Sequence, residues 1–169
     1  MDALHYMPVF DVLAPGYRPW LIPTLVGAAV VIIALVFLLF FKRRISGASA
    51  PTFQILVACV PLLVLPAIMI PAITAWDFAR ACSTLRSGSA LYVEGTVSHF
   101  KPMPPRPKGT ESFLVKGIPF DYSDAEITAG FHQTVRSGGP MHEGLPVHIW
   151  YMNVGPGGNK ILKLEVAEK

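Results

Sequence analysis

The segment Trp20–Phe41, WLIPTLVGAAVVIIALVFLLFF, decides the architecture of this chain, because it carries no charged side chain over its whole length. At about 1.5 Å per helical residue such a run spans roughly the 30 Å hydrocarbon core of a bilayer. A second run, Phe53–Trp76, FQILVACVPLLVLPAIMIPAITAW, is equally free of charge. Soluble core helices seldom stay uncharged for this long. A cleaved signal peptide has a shorter apolar stretch, with its basic residues in front of it rather than behind. The short connection between the runs makes them an antiparallel hairpin, with membrane helix 1 over 20–42 and membrane helix 2 over 53–76.

Lys42, Arg43 and Arg44 stand together against the end of the first run, at the start of the loop 43–52. The positive-inside rule puts that loop in the cytoplasm. Both termini, including segment 1–19, are then extracytoplasmic. Arg18, Arg80 and Arg86 flank the opposite ends but are dispersed. Trp20 and Trp76 fall at one membrane face, where amphipathic rings favour the headgroup region. Pro61, Pro66 and Pro71 predict kinks in the second helix, since each leaves the carbonyl four residues back (Val57, Leu62, Ala67) without its usual donor. At five-residue intervals they do not share a face. No ionisable side chain lies in either run, so the hairpin offers no proton relay or ion site.

The 169 residues carry a formal net charge of +3. From Asp77 onward, ten Lys/Arg stand against nine Asp/Glu, so the basic balance belongs to the membrane loop. Nothing there resembles the clustered basic face of a nucleic-acid binder. Cys59 lies inside the second run and Cys82 beyond it, which predicts no disulfide.

After Trp76 the helical period continues over 77–88, with Phe78, Ala81, Cys82 and Leu85 on one face and Gly88 as C-cap. The period then changes to two, opening a β-rich domain over 89–169. Strands are predicted over Ala90–Phe100, Ser112–Val115, Ile118–Tyr122, Val147–Met152 and Ile161–Val166, with a helical turn near Ser123–Ile127 capped by Ser123. Five strands with a long insertion after the third predict an OB-like five-stranded barrel, with an SH3-like barrel as the alternative. The fold class is therefore a membrane α-helical hairpin plus a C-terminal small all-β domain.

The succession VEGTV, ESF, PFDYSD, GF, SGGP, EGLPVHIWY and ILKLE resembles a group of small bacterial envelope proteins in which membrane helices precede a compact β domain. The architecture is also similar to the NfeD-like arrangement, in which an OB domain hangs from membrane helices and serves assembly or partner binding. The resemblance implies a place in the bacterial inner (plasma) membrane and no particular chemistry.

Candidate chemistry is sparse. His142-Glu143 opens like a zinc-protease motif, but position 146 is proline and the segment is not helical. His5, His99, His132 and His148 have no ligand spacing. Asp121, Asp124 and Glu126 form an acidic cluster better suited to turns than to a cation. Ser112, Ser123 and Ser137 lack a nucleophile-elbow context. No catalytic residue, cofactor or metal is expected, and neither is a nucleic-acid partner. The KPMPPRPK loop supplies the candidate partner-contact residues Pro102, Met103, Pro104, Pro105 and Arg106, because proline-rich segments are stiff and expose carbonyls. Among Phe113, Phe120, Tyr122, Trp150 and Tyr151, some rings must point outward. The function expected is a non-enzymatic, membrane-anchored envelope protein. Its partners are the bilayer and a membrane or envelope protein, or a second copy of itself. The alternative is an accessory subunit of a transport or channel assembly.

Overall fold

The computed structural model describes residues 5–44, 50–104, 109–155 and 158–168. Pro105 and Arg106 of the proline loop lie outside the described residues. The elements are β1 (His5–Asp11), α1 (Leu21–Arg44), α2 (Ala50–Arg86), β2 (Leu91–Lys101), β3 (Glu111–Val115), β4 (Ile118–Tyr122), β5 (Pro146–Asn153) and β6 (Asn159–Glu168). A single 3-10 turn spans Val135–Ser137. The chain forms two compact units, Arg18–Trp76 and Met1–Tyr17 with Asp77–Lys169.

In the first unit, α1 and α2 are both long and apolar enough to cross a membrane. Lys42, Arg43 and Arg44 form the last turn of α1. The covered positions of α1 are Pro23, Gly27, Val30, Val31, Ala34 and Leu38, and those of α2 are Val60, Val64, Ala67, Pro71 and Thr74. Their three- and four-residue steps describe one stripe per helix. The stripes meet at Gly27, where an added Cβ would overlap the Ala67 carbonyl oxygen and lie 3.2 Å from Pro71 Cγ. Pro71 has no N–H to give that carbonyl. The orphaned oxygen thus sits against the Cα of Gly27, the geometry of a weak Cα–H···O bond between helices that only glycine permits. α2 runs without a break through Pro61, Pro66 and Pro71. Thr24 and Thr74 turn their hydroxyls back on the Trp20 and Ile70 carbonyls. Trp76 is three-quarters exposed.

The second unit is an antiparallel sheet in the order β1-β6-β5-β2-β3-β4. All five predicted strands form. The five-stranded barrel does not: the sheet has a sixth strand, and it is open, with β1 and β4 at its edges. The extra strand is β1, from the N-terminal segment, paired to β6 from His5↔Glu168 to Asp11↔Lys163. Each edge strand holds a proline, Pro8 and Pro119, which has no N–H to offer a further strand. The side chain of Asn159 donates to the Pro119 carbonyl (2.9 Å), so β4 curls toward the start of β6 without a ladder between them.

The main core fills this curl with Val93, Val97, Phe113, Phe120, Tyr122, Phe131, Val147, Ile149, Tyr151 and Leu164. A second cluster forms where the last turns of α2 lie on the unit. Ala81 and Cys82, with Phe78 and Leu85 beside them, pack on Val12, Ala129, Met152 and Leu162. These are the four positions that the helical period places on one face. Asp77 holds the same region in place, accepting the Ala129 N–H (3.0 Å) and pairing with Lys160. Gly88, in the left-handed region at φ 69°, ends α2, and Ser89 N–H bonds back to the Thr84 carbonyl. The predicted turn at Ser123–Ile127 is not helical. The Ser123 hydroxyl instead donates to the Gly109 carbonyl (2.7 Å), tying the base of the proline loop to the end of β4.

Candidate functional site

Alternation along β2, β5 and β6 sends Val93, Val147, Ile149 and Leu164 into the core. The residues between them therefore stand on the opposite face. Register aligns them in two cross-strand rows, Tyr92–Trp150–Lys163 and Glu94–His148–Glu165. β1 adds Tyr6, whose ring stacks on His148 with centroids 3.6 Å apart and planes 18° from parallel. Tyr92 meets Trp150 at 5.0 Å and the edge of His148 at 5.9 Å. The Lys163 ammonium lies 4.5 Å above the Trp150 ring and 2.7 Å from Glu165. The imidazole of His148 sits between carboxylates, with Nε2 3.8 Å from Glu94 and Nδ1 3.6 Å from Glu165. The Tyr92 hydroxyl donates to Glu94 (2.9 Å).

The end of α2 covers this outer face only as far as Met152, two residues along β5 from Trp150. Beyond that point the rings are partly open to solvent: Tyr92 is 48% exposed, and Tyr6, His148 and Trp150 are half-buried. Rigid amphipathic rings lose little side-chain entropy on docking, and interface hot spots are enriched in Tyr and Trp. The sequence names Trp150 only as one of five strand aromatics of which some face outward, and the structure shows that it is Trp150, with His148 beside it. Tyr6, Tyr92, Glu94, Lys163 and Glu165 escape sequence reasoning, because only strand register brings them together.

The proline loop frames a second feature. Pro102 and Pro104 line a cleft of about 740 Å³ with Lys101, Ser112 and Ser123. Gly109 closes the base of the loop, since a Cβ there would lie 2.8 Å from Met103 Cγ and 2.9 Å from Pro104 Cδ.

The acidic cluster disperses. Asp121 stands by Gly158 at the end of β4. Asp124 accepts hydroxyl bonds from Ser137 (2.7 Å) and Thr134 (3.1 Å), and these hold its carboxyl below the usual range. Asp124, His132 and Ser137 line one recess of about 390 Å³ with Phe10, Tyr17 and Phe131. The three polar groups do not form a relay. Ser137 bonds Asp124 directly, and His132 Nδ1 is 3.0 Å from the Gly130 carbonyl.

Glu111, which the sequence does not single out, is 1% exposed. It accepts the Tyr122 hydroxyl (2.8 Å) and the Val135 N–H (3.0 and 3.1 Å), pinning the 3-10 turn to the sheet. Burial, and then this bond to Glu111, push the Tyr122 phenol far above its ordinary value. Glu143 is structural as well, its carboxylate accepting the N–H groups of His99 and Phe100 (3.2 and 2.7 Å). There β2 is irregular and His99 takes φ 53°. Among the described residues, no three His, Cys, Asp or Glu side chains converge as metal ligands. In comparison with known proteins, no family model, no curated protein and no solved structure matches this chain.

Proposed function

We propose that this chain is a membrane-anchored envelope protein whose β unit docks a protein partner on the outer face of β2, β5 and β6. The carrying observation is the row of exposed Tyr92 and half-buried Trp150 beside Tyr6 and His148, presented by paired strands and edged by Glu94, which is 56% exposed. Aromatic faces with exposed carboxylates suit a protein that offers a basic segment. β-Strand addition is the poorer mode, because Pro8 and Pro119 blunt both edges. We assign the chain no reaction, and the direct Ser137–Asp124 bond supports that reading.

Membrane integration draws support from the exposure of the helix pair. Ile22 (72%), Leu62 (73%) and Ile73 (64%) are among many large apolar side chains left uncovered, far beyond the patch a soluble protein tolerates. With Lys42, Arg43 and Arg44 on the cytoplasmic side, both termini and the β unit are extracytoplasmic, in the inner membrane of a bacterium. The strand succession β6-β5-β2-β3-β4, curled toward closure by Asn159, favours an OB-like reading of the sheet over an SH3-like one.

A photo-crosslinking residue at Tyr92, activated in native membranes, tests the docking surface. A defined protein adduct that disappears in Glu94→Arg supports it. A strictly monomeric particle with no adduct would sink it. Impermeant maleimide should label Ser89→Cys but not Ser46→Cys from outside the cell, above the wild-type background. The reverse pattern inverts the topology.

A further inference from the structure

We infer that the recess between β1 and the 123–137 segment is a binding site for a small organic cation: a protonated amine carried on an apolar, ring-sized body. The recess, about 390 Å³ and lined by Phe10, Tyr17, Phe131, Asp124, His132 and Gln133, has the size of a small-ligand pocket. It lies on the other side of β1 from the docking surface and does not depend on it.

Three aromatic rings form its apolar wall. Phe10 meets Tyr17 edge-on at 5.2 Å and Phe131 at 5.7 Å. Ring faces of this kind attract cations as well as apolar groups.

The polar groups decide the class of ligand, because the side-chain donors are already committed within the protein, save one N–H of the Gln133 amide. The Tyr17 hydroxyl donates to the Thr128 carbonyl (3.2 Å). The Ser137 hydroxyl donates to Asp124 (2.7 Å), and the Gln133 side-chain amide donates to the Ser137 carbonyl (3.1 Å). His132 Nδ1 faces the Gly130 carbonyl (3.0 Å), which only accepts, so Nδ1 carries the hydrogen. What these residues keep for a ligand is mainly acceptor capacity: the Asp124 carboxylate, the Gln133 carbonyl oxygen and, in the neutral ring, His132 Nε2, against one spare N–H of Gln133. A pocket rich in acceptors and poor in donors selects a ligand rich in donors, and the carboxylate selects positive charge.

Asp77, the other acid near Tyr17, is paired with Lys160. The Ser137 and Thr134 hydroxyls, and to a lesser degree Arg136, favour the ionised form of Asp124, and the Arg136 charge offsets part of its attraction for a cation. Among the described residues, no Lys or Arg lines the recess. An anionic ligand would find no cationic side chain on these walls.

The test uses the full chain in lipid nanodiscs and three probes of equal size: phenethylammonium, phenethyl alcohol and phenylacetate. Saturation-transfer NMR should show the ammonium probe binding at least tenfold more tightly than the alcohol, with no binding of the carboxylate. Asp124→Asn, which keeps an acceptor for Thr134 and Ser137, should weaken the ammonium probe at least tenfold and leave the alcohol unchanged. Val9→Trp, on the rim, should block both. Glu126→Gln removes the same charge from outside the recess and should change nothing. Equal affinity for ammonium and alcohol, an Asp124→Asn protein with an unchanged spectrum and unchanged affinity, or no binding at 10 mM probe (a weak-ligand limit of about 3 kcal/mol) would each overturn the assignment.

Discussion

Trp150 and Tyr151 are neighbours in sequence and belong to different worlds. Tyr151 is 7% exposed and packs edge-on against Phe120 at 5.2 Å, inside a ring cluster continued by Phe113, Tyr122 and Phe131. Trp150 faces out and joins Tyr92, His148 and Lys163. Both sets are aromatic and both are strand-borne, yet they differ in what completes them. The inner rings are completed by one another. The outer rings are completed by charged side chains and by solvent, which a partner can replace. Aromatic content alone therefore says nothing about function on these strands; parity does.

The contrast can be broken most violently from inside. Phe120→Ala should cost about 3–5 kcal/mol through the cavity it leaves, read as thermal unfolding of the full chain in nanodiscs by near-ultraviolet circular dichroism. A loss no larger than that of an outer-ring variant would erase the distinction. Glu111→Ala comes next, at about 1–3 kcal/mol, because the Tyr122 hydroxyl and the Val135 N–H lose their buried acceptor. Glu111→Gln keeps an acceptor and should be milder in the same melt.

Outer substitutions should invert the pattern. Tyr92→Ala removes one cross-strand pair, worth about 0.2–1 kcal/mol. It should scarcely move the melt while abolishing partner capture from membranes. If capture survives, the outer row is decoration. The smallest effect concerns Asp124. Its folded pKa is depressed, first by the Ser137 hydroxyl and then by that of Thr134. The resulting stabilisation is present above the ordinary carboxylate value of about 3.9 and fades as pH falls through the lower folded value. Ser137→Ala should raise the Asp124 pKa toward its ordinary value, followed by carboxyl NMR titration, and narrow that acid margin. An unmoved titration would remove Ser137 from the account.

The helix pair and the strands β2 to β6 are legible in sequence because each is announced by local patterning: unbroken apolar length, or a period of two. The continuation of α2 is legible for the same reason, and Phe78, Ala81, Cys82 and Leu85 meet the sheet as their spacing requires. β1 is not legible. HYMPVFD contains a proline and lacks strict alternation, and its partner β6 lies at the far end of the chain. β1 takes the edge of β6 that β4 would need in order to close a barrel, so the sheet is open. Glu111 is illegible for another reason. A strand-end glutamate looks like a solvated charge until Tyr122 and Val135 are folded over it. The two sites share this cause: the outer row and the recess both borrow a ring from β1, Tyr6 in one and Phe10 in the other.

The prolines at the two sheet edges acquire a further meaning if this unit is tethered to a bilayer. Confinement to a surface removes one translational dimension and aligns neighbouring copies, so encounters between like edges become far more frequent than in free solution. A sheet with two unprotected edges would polymerise laterally along the membrane as copy number rose. On such a surface Pro8 and Pro119, each without an N–H to offer, would keep the edges of neighbouring copies from joining into a continuous ribbon.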